Sequence, residues 1–324
     1  MMDFINALPG AVSQGLIWGI MAIGVYITYK ILDIADLTVD GSFCTGAAVF
    51  VVLFTGGMNL WLALLAALIA GMLAGLVTGL LHTFCGIPAI LAGILTQLSL
   101  WSVNMAVMGM KATVAINVTT PEMLDKLLVS LRFVKDVSNG TRPFYRHPIF
   151  VVGLLTVAVI AVLYWFFGTE LGCSLRATGS NQNMARAQGI NTNVAKVLGL
   201  VLSNGLVSLS GALLAQYNSA SEINMGRGAI VIGLAAVIIG DVIFSKIFRN
   251  FALKLLSVSI GAIIYYIVIQ AVLAMGLNAN YLKALSAIVV AIFLSIPYWK
   301  GKYIHTKAAV PAQAGAKMGG DLNA

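Results

Sequence analysis

Long apolar runs alternate with short polar interruptions along almost the whole chain. Nine runs predict nine helices, at about 9–31, 41–55, 60–81, 87–110, 148–167, 193–216, 228–244, 251–275 and 281–298. A bilayer crossing takes about 20 residues, so 41–55 is short. It predicts a broken or re-entrant helix, which is stable only where it packs in protein or lines a cavity. In 60–81, Gly71, Gly75 and Gly79 stand at a spacing that lets helices approach closely. The longest polar region, 111–147, predicts an outer loop with an amphipathic helix near 121–134. The longest polar interruption of the second half, 171–192, predicts a helix of one to two turns. Thr178 or Ser180 caps it, Gly189 ends it, and Arg176 and Arg186 give it cationic edges. Such a helix either docks a soluble partner or is an ordinary loop between spans.

Composition fixes the class. The chain is 60% hydrophobic and 9% charged, where soluble domains carry roughly 25% charged residues. The expected fold is therefore an all-α, polytopic membrane protein. The start, MMDFINALPGAV, lacks a basic flank and a cleavage-like site, so the first span is expected to remain in the product. The net charge of +8 is read first as an orientation signal. If 171–192 and the C-terminal tail face the cytoplasm, eleven of the 19 Lys and Arg lie on that side and the N-terminus faces outward. Residues 1–308 then form one transmembrane domain, and 309–324 a disordered cytoplasmic tail.

A weak internal repeat accompanies the spans. In each half a span leads into a short Gly-interrupted segment and then two more spans. Leu37-Thr-Val-Asp-Gly and Ile223-Asn-Met-Gly-Arg occupy matching places. One extra span lies between the halves, which inverts the second relative to the first. Two inverted repeats with a broken helix in each are a common plan of transport proteins.

The sequence holds no GxxxxGK[ST], HExxH, paired-cysteine or GxSxG motif, so no catalytic set, metal or cofactor is expected in this chain. Cys44, Cys85 and Cys173 read as three small buried residues. His82, His147 and His305 read as interfacial. Gln97, Asn104, Asn204, Gln216 and Gln270 fall at membrane depth and need hydrogen-bond partners there. Asp40 and Glu222 stand at the openings of the two broken segments, and Asp241 reads as a local ion partner of Lys246. A translocation path or gate is expected to use Asp40, Ser42, Gln97, Asn204 and Glu222.

Three stretches together carry a family resemblance: DLTVDGSF, RATGSNQNMARAQGINTNVAKVLGLVLSNGLVSLSGALLAQ and INMGRGAIVIGLAAVIIGD. Residues 9–299 resemble the permease subunit of ABC importers of the branched-chain amino-acid and ribose class. The early segment is most similar to a branch often paired with lipoprotein binding proteins of the tryptophan/tyrosine type. The resemblance implies a type II importer fold that works as a homodimer in the bacterial inner membrane, with membrane lipid and no nucleic acid as its surroundings. It implies a separate ABC ATPase that holds the ATP and magnesium, and an extracytoplasmic binding protein. Residues 180–188 would be the coupling helix. Arg176, Gly179, Ser180, Asn181, Ala185, Arg186, Gly189 and Ile190 would carry contact with the ATPase. The substrate would be an amino acid, aromatic by the branch. Ile239–Asp241 stands where sugar permeases tend to carry Gly-Gly, which speaks against a sugar. Alternatives are a nucleoside or vitamin importer, an ion-coupled secondary transporter that needs no ATPase, and a membrane scaffold or receptor.

Overall fold

The computed structural model describes residues 2–117, 121–138, 143, 146–244, 248, 250–274, 284, 287–293 and 295. Among the described residues, six helices are long and apolar enough to span a bilayer. They are α1 (Met2–Tyr26), which continues as a π-helical turn through Ile31, α3 (Leu60–Thr83), α4 (Ala89–Val107), α7 (Pro148–Gly168), α10 (Thr192–Asn218) and α12 (Phe251–Ala274). Two shorter apolar helices, α2 (Val39–Thr55) and α11 (Ala229–Phe244), complete the set. The expectation of a short helix at 41–55 is met, but its counterpart at 228–244 is just as short, so it is no full crossing either. Residues 287–293 are helical. The rest of the expected ninth run and the 309–324 tail lie outside the described residues.

Polar segments sit at the two ends. At one end, β1 (Thr113–Ala115) pairs antiparallel with β2 (Ala220–Glu222), beside α5 (Pro121–Lys126) and α6 (Leu131–Ser138). The single amphipathic helix expected near 121–134 is thus two short ones. At the other end lie α8 (Glu170–Ser180) and α9 (Gln182–Ala187). The step from loop to span at α7 is set by His147, whose ring Nδ1 accepts from the Ile149 N–H at 3.2 Å. Burial holds the pKa of His147 below its ordinary value, which favours the neutral ring this cap requires.

Helices α1 and α10 form the middle of the bundle, burying 78% and 67% of their apolar spans against 22% for α4 and for α7. They are antiparallel, since the Tyr217 hydroxyl near the end of α10 donates to the Gly10 carbonyl near the start of α1. Two devices hold α10 in place. Its serines donate to neighbouring main chains: Ser203 to Gly24 O at 2.8 Å, Ser210 to Ile17 O at 2.7 Å, and Ser208 to Ala67 O at 2.6 Å. In a bilayer such bonds satisfy polar groups that no water can reach. The predicted glycine stripe of α3 faces it from the other side. A methyl at Gly71 or Gly75 would overlap the main-chain carbonyls of Asn204 or Leu200.

Helices α2 and α11 start in the interior and run apart. From its start beside α11, α2 runs toward the β-ladder end, and Phe54 at its far end shares a cleft with α5. The far end of α11 lies at the α8–α9 end, where Asp241 pairs with Lys30 at 2.9 Å. The expected local partner of Asp241, Lys246, lies outside the described residues.

Candidate functional site

Two places on this scaffold gather the residues singled out in the sequence. The first is the α8–α9 corner. Thr169 opens α8, its hydroxyl accepting from Gly172 N. Neither Thr178 nor Ser180 caps the next helix. Thr178 is buried inside α8 and donates to Ser174 O, and Ser180 is the last residue of α8. The cap is Asn181, in an extended conformation, whose Oδ1 accepts from Met184 N at 3.0 Å. The expected end does hold. Gly189 has φ +79°, Gly189 N donates to Arg186 O and Ile190 N donates to Ala185 O. These paired bonds close a Schellman turn, which needs a left-handed residue at that position.

Helix α9 turns almost all of its surface outward. Gln182, Asn183, Met184, Arg186, Ala187 and Gln188 are exposed, whereas Ala185 is fully buried. The corner is anchored from below as well. Gly179 lies so close to the end of α1 that a methyl group there would overlap the Ile31 carbonyl oxygen. Arg186 Nε donates to the Thr192 hydroxyl at the start of α10, 3.0 Å away. The Arg176 guanidinium is exposed and is also held inward. It donates to Phe167 O at 2.6 Å and lies over the Phe251 ring, so it ties α8 to α7 and α12. Replacing Asn181 with alanine should loosen α9 by about 1 kcal/mol. Faster amide exchange at Met184 and Ala185, with α10 unchanged, is the expected readout.

The second place is the junction where the two short helices begin. The chain leaves the π-turn, passes Asp33 in a left-handed conformation (φ 55°), and runs without helix or strand to Asp36. The Asp36 carboxylate is 2% exposed. One oxygen accepts from Thr38 N at 2.9 Å and the other from Asn204 Nδ2 at 2.7 Å. Asn204 Oδ1 in turn accepts from the Ser42 hydroxyl at 2.7 Å, and Asn204 Nδ2 also donates to Leu200 O. The Thr38 hydroxyl reaches Thr78 Oγ1 on α3 at 2.7 Å. The chain break at α2 is thus closed by one carboxylate and one amide. One turn later, Asp40 closes the other break. Its oxygens accept from Gly228 N and Ile230 N, both at 2.9 Å, at the start of α11. Each short helix therefore receives an aspartate at its N-terminus, where orphan N–H groups and the helix dipole favour negative charge. Both come from the single stretch DLTVD.

Of the expected path residues, Ser42 and Asn204 meet directly, and Asp40 sits one turn away. Gln97 flanks them on α4, with its Cα beside Gly41. Glu222 does not mirror Asp40. It lies exposed on β2 opposite Thr113, and its carbonyl oxygen accepts from Met225 N and from the Cys44 thiol. Of the cysteines only Cys44 is buried; Cys85 and Cys173 are exposed. Asp36, the hub of the junction, was named in no site expectation. Its signal is the Asp-x-Thr spacing, in which a carboxylate bonds the main chain two residues on. Among the described residues no His, Cys, Asp or Glu cluster could hold a metal ion. The arrangement holds the starts of the two broken helices.

Comparison with known proteins adds to this geometry. The family model described as "branched-chain amino acid transport system / permease component" matches residues 8–294. A tyrosine transport system permease protein of Clostridioides difficile is 37% identical over 291 residues, covering 90% of this chain and 91% of that protein. A fructose import permease of Bifidobacterium longum is 25% identical over 264 residues, covering 79% of this chain and 68% of that one. The solved structure of PsaBC from Streptococcus pneumoniae in complex with Fab shares the fold. Its TM-score is 0.52 at 17% identity, over 95% of this chain and 100% of that chain.

Proposed function

We propose that this chain, which belongs to the family of branched-chain amino acid transport permease components, forms the substrate path of an ATP-driven importer as a homodimer. It is an ABC transporter permease, a multi-pass protein of the bacterial inner membrane. In the proposed assembly a separate ATPase carries the ATP and magnesium, and a binding protein delivers substrate from the other side. The two short helices and their flanking spans act as inverted repeats. Helix α1 with α2 corresponds to α10 with α11, and the aspartate-capped junction lies where the repeats meet.

The observation that carries this reading is the construction of the α8–α9 corner. A two-turn helix exposed on nearly every side, yet pinned through Ala185 and Gly179, suits a rod pushed by a partner. Displacement of α9 passes through Gly179 into Ile31 and the π-helical turn. π-Helical turns occur frequently at functional sites. From there it reaches the segment before α2 and the Asp36–Asn204 pair. The substrate is an amino acid, with aromatic ones favoured by the tyrosine permease relative. Nucleosides and vitamins are the alternatives.

The test uses a variant in which the exposed Cys85 and Cys173 are replaced by serine and Met184 by cysteine. In proteoliposomes with the ATPase and binding protein, Met184→Cys should cross-link to the ATPase, and L-tyrosine uptake should require ATP. Uptake by the permease alone, driven by an ion gradient, would overturn the reading.

A further inference from the structure

We infer that a cleft between α1, the start of α11 and α12 is a substrate station on the path, with Arg227 receiving the carboxylate of an aromatic amino acid. The inference rests on the aromatic amino-acid importer proposed above and names a site within it. The cleft holds about 360 Å³, at the small end of the range for small-molecule sites, about 300–1,000 Å³. Its walls include Trp18, Arg227, Gly228, Val231, Tyr265 and Tyr266.

Depth makes Arg227 informative. Tyr265 stands 14 residues beyond the start of α12, about 21 Å along the helix axis. Trp18 lies well inside α1, with its ring stacked on Phe43 of α2 at 4.8 Å. Arg227 shares this level and is exposed on the subunit surface. No hydrogen bond, ion pair or ring contact engages its guanidinium among the described residues. A bare cation at this depth is too costly against lipid, so it faces water or a partner surface. The main-chain donors at the start of α11 are not free to bind an anion, because Asp40 already takes Gly228 N and Ile230 N. The anion contact therefore falls to Arg227, whose planar fork matches a carboxylate.

The remaining walls suit an aromatic side chain. The Trp18 and Tyr266 rings lie 5.9 Å apart and tilted, and Tyr265 meets Tyr266 edge-on at 5.6 Å. Trp18 and Tyr265 are themselves nearly buried, so the ring that reaches the cleft is the partly buried Tyr266, backed by those two and set beside the partly exposed Val231 and Ile232. One cation beside an aromatic wall is the complement of a tyrosine or tryptophan zwitterion at its carboxylate end.

The assembled complex in nanodiscs tests this with 4-azido-L-phenylalanine as photoprobe. Label should map to α1 and α12 and be displaced by L-tyrosine, whereas tyramine, which lacks the carboxylate, should displace it roughly 10- to 100-fold less well. Arg227→Gln should reduce labelling and L-tyrosine uptake by a similar factor. Val231→Trp, which adds bulk at an exposed wall position, should block both and serves if Arg227→Gln fails to assemble. Equal displacement by tyramine, or wild-type uptake and labelling in both variants, overturns the station while leaving the importer reading intact. Wild-type complex that imports no aromatic amino acid removes both.

Discussion

Replacing Asp36 with alanine should remove on the order of 3 kcal/mol of stability, a large share of what holds most folded chains together. The carboxylate accepts two charge-assisted bonds in a water-free interior. Without it, Thr38 N and one Asn204 donor lose their partner, and the start of α2 loses its negative charge. Asn204→Asp should be at least as harmful, because it sets two carboxylates 2.7 Å apart at the Asp36–Asn204 contact. The exchanged pair, Asp36→Asn with Asn204→Asp, should recover part of the loss, since one acid and one amide again face each other. Reversible unfolding in detergent mixtures, compared across the wild type, Asp36→Asn, Asn204→Asp and the exchanged pair as a double-mutant cycle, measures the coupling. Additive losses would show that the two side chains do not act as a unit.

Gly179→Ala should break transport without breaking the fold. The added methyl would overlap the Ile31 carbonyl oxygen and crowd Leu32 Cα, which is main chain and cannot swing away. The α8–α9 corner must lift from the end of α1, and overpacking of this kind costs about 1–3 kcal/mol locally. If the corner transmits force, ATP-dependent uptake should fall by roughly two orders of magnitude, as small misplacements of working groups can do. Hydrolysis by the partner should persist without uptake. Gly153→Ala is the matched control, because a methyl there meets nothing within 4 Å in α7. It should keep full uptake and gain about 0.5–1 kcal/mol from helix propensity. Normal uptake by Gly179→Ala would show that the corner is a passive loop.

How far the sequence could be read depended on the range of the interaction involved. The glycine stripe of α3 was legible because helix periodicity alone places Gly71, Gly75 and Gly79 on one face. The shortness of α2 was legible because the apolar run simply stops. Gly189 was legible because a Schellman turn is closed by bonds within a few residues. The α9 cap was misplaced by a few residues because Thr178, Ser180 and Asn181 all have capping side chains. Only the fold decided which one stands extended. That Arg176 also ties α8 to α7 and α12 was not legible, because a sequence cannot show that the Phe167 carbonyl and the Phe251 ring lie within its reach. Glu222 was matched to Asp40 by position in a repeat, yet the strand pairing with Thr113 turned it elsewhere.

By itself the sequence determined that this chain lives in a bilayer, roughly where it crosses, and which segment breaks its spans at the α8–α9 end. Those properties follow from run length, local hydrogen bonding and the cost of unpaired main chain in lipid, all of which act along the chain. Only the tertiary structure decided that Asp36 and Asp40, four residues apart, close two different helices. It also decided that Asn204 completes one closure and that Asp241 answers Lys30. Such pairings join positions separated by some 170 to 210 residues, and nothing in the local chain specifies them until the helices have packed.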